Sequence, residues 1–176
     1  EIESLRRYRD IIDDWDSFVD YATRPLPHCF WVNTLKISEE DLLARFAADG
    51  IKSSPIAWLP GAHRLESPIA LGKRFEHLTG LIYIQEEVSM LPVHALAPEP
   101  GECVLDLCAA PGNKTAQMAL LMQRRGTVVA NDINYQRLRA LGQVIKRMGL
   151  CNINLTQYDG TSYPKCGPQF DRVLVD

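Results

Sequence analysis

Twelve residues, Val104 to Thr115, read VLDLCAAPGNKT and constrain the fold more than any other stretch of the chain. Val104-Leu105-Asp106-Leu107 is a short apolar run with one acid, which suits a strand buried in a parallel sheet. Ala109-Ala110-Pro111-Gly112 then breaks it, with side chains small enough for backbone to approach a ligand. Lys114-Thr115 opens a segment of good helix formers, Ala116 to Met122. A strand, a small-residue turn and a helix N-terminus make a ligand-binding corner. Free N–H groups and the positive end of the helix dipole gather there.

The residues of the turn choose among ligands. A dinucleotide fingerprint needs three glycines, and this turn has only Gly112. A triphosphate loop needs a glycine where Leu107 stands and a lysine where Asn113 stands. S-adenosylmethionine, which carries an amino-acid end, a ribose and an adenine but no phosphate, fits what remains. A plain strand–helix turn in any α/β domain fits as well at this point. Downstream, Thr127 to Ala130 reads as the next strand and ends at Asn131-Asp132. Asp132 lies 20 positions beyond Gly112. An acid at about that spacing ends the second strand and accepts from ribose hydroxyls. A carboxylate suits a diol because it offers acceptors only. Asp132 also reads as the start of the next helix, and the two roles are compatible.

Composition bounds the class. The chain has 176 residues, 46% hydrophobic and 23% charged, with net charge −3, which is ordinary globular material and no signature of a nucleic-acid binder. The five cysteines, at 29, 103, 108, 151 and 166, show no C-x-x-C pair, so neither a zinc site nor a disulfide framework is expected. Reduced thiols in a cytoplasmic setting follow. No apolar run approaches the roughly 18 residues of a membrane span, and no signal peptide is present. The sequence starts at Glu1 and stops at Asp176, after a fourth strand with an uncovered edge, so a fragment cut at both ends is expected.

In chain order, residues 2 to about 22 read as one amphipathic helix through Leu5, Tyr8, Ile12, Trp15 and Val19. Phe30 to Leu35 reads as a strand, Ser38 as the cap of a helix through Ala48, and Pro55 to Leu59 as a second strand. Residues 62 to 80 give weak signals. Leu81 to Ile84 reads as a strand or an extended entry, followed by a helix over 85–97 with Val88, Leu91 and Leu96 inward and Pro92 as a kink. Asn134 caps a helix whose buried stripe is Leu138, Leu141, Ile145 and Met148, and Gly149 ends it. Ile153 to Thr156 and Phe170 to Val175 are the third and fourth strands. Strands alternating with helices predict a doubly wound parallel sheet with ligands at the carboxyl ends of strands. Asp132, Asp159 and Asp176 each end one of those strands.

With these residues in view, the chain resembles the RsmB/Nop/Sun family of RNA (cytosine-5) methyltransferases. DLCAAPGNKT at 106–115, YIQEEVSMLPV at 83–93 and RPLPHCFWVNTLK at 24–36 carry the resemblance. It implies an α/β fold: a Rossmann-like class I S-adenosylmethionine-dependent methyltransferase domain, its parallel sheet truncated, over 80–176. A small α+β N-terminal domain over 1–79 would help hold RNA. It further implies that Cys108, Ala109, Ala110, Pro111, Gly112, Asn113 and Lys114 wrap the amino-acid end of the cofactor. Asp132 takes the ribose hydroxyls with Arg137 beside it, and Asp159 lies near the adenine. Asp176 opens the family's Asp-Ala-Pro-Cys motif and faces the target base close to Lys114. Asn113 departs from the family's commonest residue, glycine.

The expected partner is RNA, ribosomal or transfer, with no metal and no membrane, and a monomer is expected. Family chemistry needs a cysteine thiolate attacking carbon 6 of cytosine. The family's nucleophile lies just past the fourth strand and a second cysteine past the fifth. The sequence stops before both, so this fragment is expected to be inactive. Two other classes stay open: an RNA-docking module that keeps the cofactor fold without catalysis, and a small-molecule methyltransferase.

Overall fold

The computed structural model describes residues 3–164 and 169–176, so Cys166 lies outside the described residues. The chain opens with a 3₁₀ segment, Glu3–Ile11, and helix α1, Trp15–Thr23. Strand β1 (Cys29–Val32), helix α2 (Glu39–Ala48) and strands β2 (Ser53–Pro55) and β3 (Ala62–Leu65) follow. Next come the short helix α3 (Phe75–Leu78), strand β4 (Ile82–Ile84) and helix α4 (Glu87–Leu96). The remainder alternates: β5 (Cys103–Asp106), α5 (Asn113–Leu121), β6 (Thr127–Asn131), α6 (Tyr135–Met148), β7 (Ile153–Thr156) and β8 (Arg172–Leu174).

Two four-stranded sheets result. The first is antiparallel, in the order β2-β3-β1-β4. The second is parallel, in the order β7-β6-β5-β8, with β5 and β6 paired from Cys103 opposite Thr127 to Asp106 opposite Ala130. The order reverses after β7: the chain crosses back over β6 and β5 to lay down β8. The order therefore switches between β5 and β8, and the carboxyl ends of those two strands open the crevice where doubly wound sheets bind ligands.

All four residues of β1 are buried because both faces of its sheet are covered. Phe30 and Val32 face Leu42 and Phe46 of α2. Cys29 and Trp31 face the other way, into a core shared with Met90 and Val93 of α4 and Met118 and Leu120 of α5. Helix α2 starts where Ser38 accepts from the Asp41 N–H at 3.1 Å. Helix α6 starts at Asn134, whose side chain accepts from the Gln136 and Arg137 N–H groups, and stops at Gly149 with φ 71°. Leu138, Leu141 and Met148 of α6 are buried and Ile145 packs at the edge of the core.

The structure corrects three expectations. The helix expected over 2–22 is broken at Asp14, whose carboxylate accepts from the Ser17 N–H at 3.0 Å and caps α1 instead. No described residue of either segment is buried, so packing does not override the local preference of Asp for caps. The strand expected at 55–59 is mostly turn, and the pairing partner is β3, whose Ala62, His63 and Leu65 are buried. β4 hydrogen-bonds to β1, from Phe30 opposite Ile84 to Val32 opposite Ile82. The hydrogen bonding thus places residues 82–84 in the first sheet. Finally, Val88 and Leu91 of α4 point outward, 70% and 48% exposed, while Met90 and Val93 are buried. The rotation of α4 is set by Glu87, held by Arg64 at 2.5 Å and by the Trp58 indole at 3.2 Å, and by Gln117 donating to the Met90 carbonyl at 3.3 Å.

The two sheets are tied to each other by buried polar groups. Asn33 donates to the carbonyls of Gly80 and Met148, both at 2.8 Å. The Trp31 indole donates to Gln85 at 2.9 Å, and Gln85 donates to Gln117 of α5 at 3.3 Å. Gly80 lies so near the end of α6 that a Cβ there would sit 2.2 Å from the Arg147 carbonyl.

Candidate cofactor site

Between β5 and α5 the backbone turns through Gly112, at φ 111°, which caps the helix. A Cβ at this position would meet Leu141 Cδ1 at 2.3 Å, so the turn is pressed against α6 and admits glycine alone without rearrangement. Ala109 and Ala110, each 5% exposed, fill the space behind it.

Asp106 ends β5 with its carboxylate buried, accepting from the Thr115 hydroxyl at 2.6 Å. Burial lifts this carboxyl to about 6, opposed by the Thr115 hydroxyl and the Lys114 ammonium and aided by the charge of Asp176. Lys114 Nζ lies 2.6 Å from Asp176 Oδ2, so the first turn of α5 is joined to the end of the fourth parallel strand.

Asp132 follows β6 and is also buried. Its Oδ2 accepts from the Ala110 N–H at 3.2 Å and its Oδ1 from the Asn134 N–H at 2.9 Å. Arg137 Nη1 is 3.2 Å from Oδ2, and Arg137 Nη2 donates to the Ala110 carbonyl. Three of the roughly four acceptor directions of a carboxylate are thus occupied, leaving one for a ligand hydroxyl. Arg137, with a side chain 54% exposed, is the partner free to move. At the end of β7, Asp159 Oδ1 accepts from the Thr161 hydroxyl at 2.7 Å and its N–H at 2.8 Å, bonds that hold its carboxyl below the usual carboxylate range.

Two cavities meet at this corner. The larger, about 400 Å³, runs from Cys108 and Asp132 past Ile133 and Tyr158 to Asp159. The smaller, about 280 Å³, lies between Asp106, Ala110, Asn113, Lys114 and Asp176. Cys108 and Arg137 line both. Every candidate residue from the sequence lines one cavity or the other except Gly112, which backs the loop from behind. Among the described residues no group of three His, Cys, Asp or Glu side chains is placed to hold a metal ion, and no helix is long and apolar enough to cross a membrane.

Three residues at the corner escaped the sequence reading. Asn131 joins three chain segments: its amide donates to the carbonyls of Leu107 and Tyr158, both at 3.0 Å, and its oxygen accepts from Thr156 and from the Tyr158 N–H. In sequence it looks like any polar residue ending a strand. Thr115 orients Asp106 across nine positions, a separation with no local signature. Tyr83, from the first sheet, donates to Asn113 Oδ1 at 2.8 Å.

Comparison with known families accounts for nearly the whole chain in two adjoining pieces. Residues 3–87 match the N-terminal domain of 16S rRNA methyltransferase RsmF. Residues 93–176 match 16S rRNA methyltransferase RsmB/F. The chain belongs to the RsmB/Nop/Sun family. Among its RsmB/Nop/Sun relatives, the ribosomal RNA small subunit methyltransferase F of Shewanella loihica is 38% identical over 92% of this chain. The chain spans 35% of that relative's length. A methyltransferase homologue from Pyrococcus horikoshii superimposes with a TM-score of 0.82 at 39% identity, covering 88% of this chain and 51% of the other. NSun6 from Pyrococcus horikoshii with SFG shares the fold over 99% of this chain and 70% of its own, with a TM-score of 0.88 at 20% identity. Both the antiparallel sheet and the parallel one are therefore parts of a Rossmann-like RsmB/Nop/Sun architecture. Of the described cysteines of this family member, Cys29 is buried, Cys103 is the half-buried first residue of β5, Cys151 is exposed before β7, and Cys108 is exposed at the corner itself. None follows β8.

Proposed function

We propose that this chain supplies the cofactor-binding corner of an S-adenosylmethionine-dependent RNA (cytosine-5) methyltransferase acting on small-subunit ribosomal RNA in the cytoplasm. One observation carries the proposal. The single-glycine turn, the buried acid Asp132 and the Lys114–Asp176 pair converge on two joined cavities at the carboxyl ends of β5, β6, β7 and β8. The residues fit S-adenosylmethionine better than a nucleotide phosphate. Four acids, Asp106, Asp132, Asp159 and Asp176, line the cavities against two cations, Lys114 and Arg137, a balance that disfavours phosphate and favours the cofactor's ammonium and sulfonium charges.

The division of labour follows from the side chains. Asp132 has one open acceptor for a ribose hydroxyl, and its bonds to Ala110 and Asn134 hold it in place. Tyr158, Ile133 and Asp159 bound the space left for an adenine. When bound, the cofactor supplies an electrophilic methyl group. Asp176, held by Lys114, stands beside the smaller cavity with its side chain half-exposed, where a carboxylate can accept from an exocyclic amine of a base. Small-subunit ribosomal RNA as substrate is supported by the name of the Shewanella loihica relative.

The test uses the intact protein, methyl-labelled S-adenosylmethionine and small-subunit ribosomal RNA from cells lacking the modification. Label recovered in 5-methylcytidine after nuclease digestion supports the proposal. Label found on protein or on a small molecule, and never on cytosine, contradicts it.

A further inference from the structure

The bond from the Tyr83 hydroxyl to Asn113 Oδ1, 2.8 Å long, joins the antiparallel sheet to the cofactor corner. Nothing in the function described above uses it. Tyr83 lies on β4 and is 6% exposed. Its ring stacks on Trp31 with centroids 5.0 Å apart and planes at 15°, and the Arg147 guanidinium lies 5.3 Å from its centroid. Trp31 is fixed in turn by its indole bond to Gln85. The phenol is therefore held on a rigid platform, and burial raises it above the usual tyrosine range, which keeps it a donor.

An amide oxygen only accepts, so the phenol selects which end of the Asn113 side chain it meets. The NH₂ end is left over. Among the described residues it has no hydrogen-bond partner, and Asn113 lines the smaller cavity. On that cavity the acids Asp106 and Asp176 suit an ammonium, while the Lys114 ammonium is already engaged by Asp176. A ligand carboxylate there can take the Asn113 amide as a donor beside Arg137, which also lines this cavity.

We propose that Asn113 donates its amide N–H to the carboxylate at the amino-acid end of the cofactor, and that Tyr83 is the positioning residue that aims it. The family's commonest residue at this position, glycine, has no side chain to aim, so the device belongs to chains like this one. The inference rests on the cofactor reading above.

Calorimetric titration of the intact protein with S-adenosylmethionine, S-adenosylhomocysteine and 5′-methylthioadenosine tests it, because the last of these lacks the carboxylate. Tyr83→Phe keeps the stacked ring and removes the donor; Asn113→Gly removes the amide. Each is expected to weaken the two carboxylate-bearing ligands by about three- to tenfold, the range of one hydrogen bond. 5′-Methylthioadenosine should change less than about twofold. The double variant should be no weaker than Asn113→Gly alone. Unchanged affinity in Tyr83→Phe, or an equal loss for 5′-methylthioadenosine, overturns the inference while leaving the cofactor reading intact. A wild-type protein that binds none of the three overturns both.

Discussion

The Ala110 N–H donates to Asp132 Oδ2 at 3.2 Å, across the gap between the loop after β5 and the end of β6. The acid proposed to take the ribose hydroxyls is thus the same group that pins the loop after β5. Removing it has two consequences at once, one for the loop and one for the ligand.

Asp132→Ala is therefore expected to lower affinity for S-adenosylmethionine by about tenfold or more. The open acceptor direction is worth roughly 1.5–3 kcal/mol as a charge-assisted bond. Isothermal titration of wild type and variant measures it. Equal affinities would mean that the ribose lies elsewhere.

Gly112→Ala forces a side chain into the left-handed region at φ 111° and drives its Cβ to 2.3 Å from Leu141 Cδ1. A loss of about 1–3 kcal/mol of folding stability is expected. Urea unfolding reads this directly. Gly142→Ala, where a Cβ meets nothing within 4 Å on the same helix, serves as the control and should be neutral or slightly stabilising.

Asp106 gives a pH signature. Its carboxyl titrates near 3.8 in the unfolded chain and at about 6 in the folded one. Between those values the folded state holds the proton that the unfolded state has released, so stability falls as pH rises from about 4 to 6 and then levels off. Asp106→Asn removes the titration and keeps an acceptor for Thr115. The stability of wild type relative to this variant should fall by on the order of 2–3 kcal/mol across that window. A difference that stays flat from pH 4 to 7 would contradict the burial argument.

Cys108 lines both cavities and is exposed, as is Cys151, which lies on the far side of β7 from the corner. S-adenosylhomocysteine should slow alkylation of Cys108 by N-ethylmaleimide and leave the rate at Cys151 unchanged. Peptide mass spectrometry resolves the two. Equal protection, or none, would place the ligand away from this turn.

How much of this was legible in the sequence depended on how local its causes were. The parallel sheet declared itself through apolar runs and through caps such as Asn134, whose partners are two and three residues away. The turn at Gly112 declared itself because small residues in a row have few other uses. β3 was hidden because its four residues alternate a buried histidine and a half-exposed arginine, and only pairing with β1 and β2 makes them a strand. The facing of α4 was misread because Glu87, Trp58 and Arg64, far apart in sequence, decide its rotation against the local pattern. The place of Asp132 just past the end of β6 was readable from its spacing. The ties made by Asn131, Thr115 and Tyr83 were not, because each crosses between elements at separations that no periodicity records.

The most direct test of the central claim is a crystal structure of the protein soaked with S-adenosylhomocysteine. The ribose should lie with a hydroxyl at about 3 Å from Asp132. The adenine should lie toward Tyr158 and Asp159, and the amino-acid end beside Asn113 and Lys114. A ligand bound outside these two cavities, or a corner that stays closed by Arg137 at saturating ligand, would contradict the account.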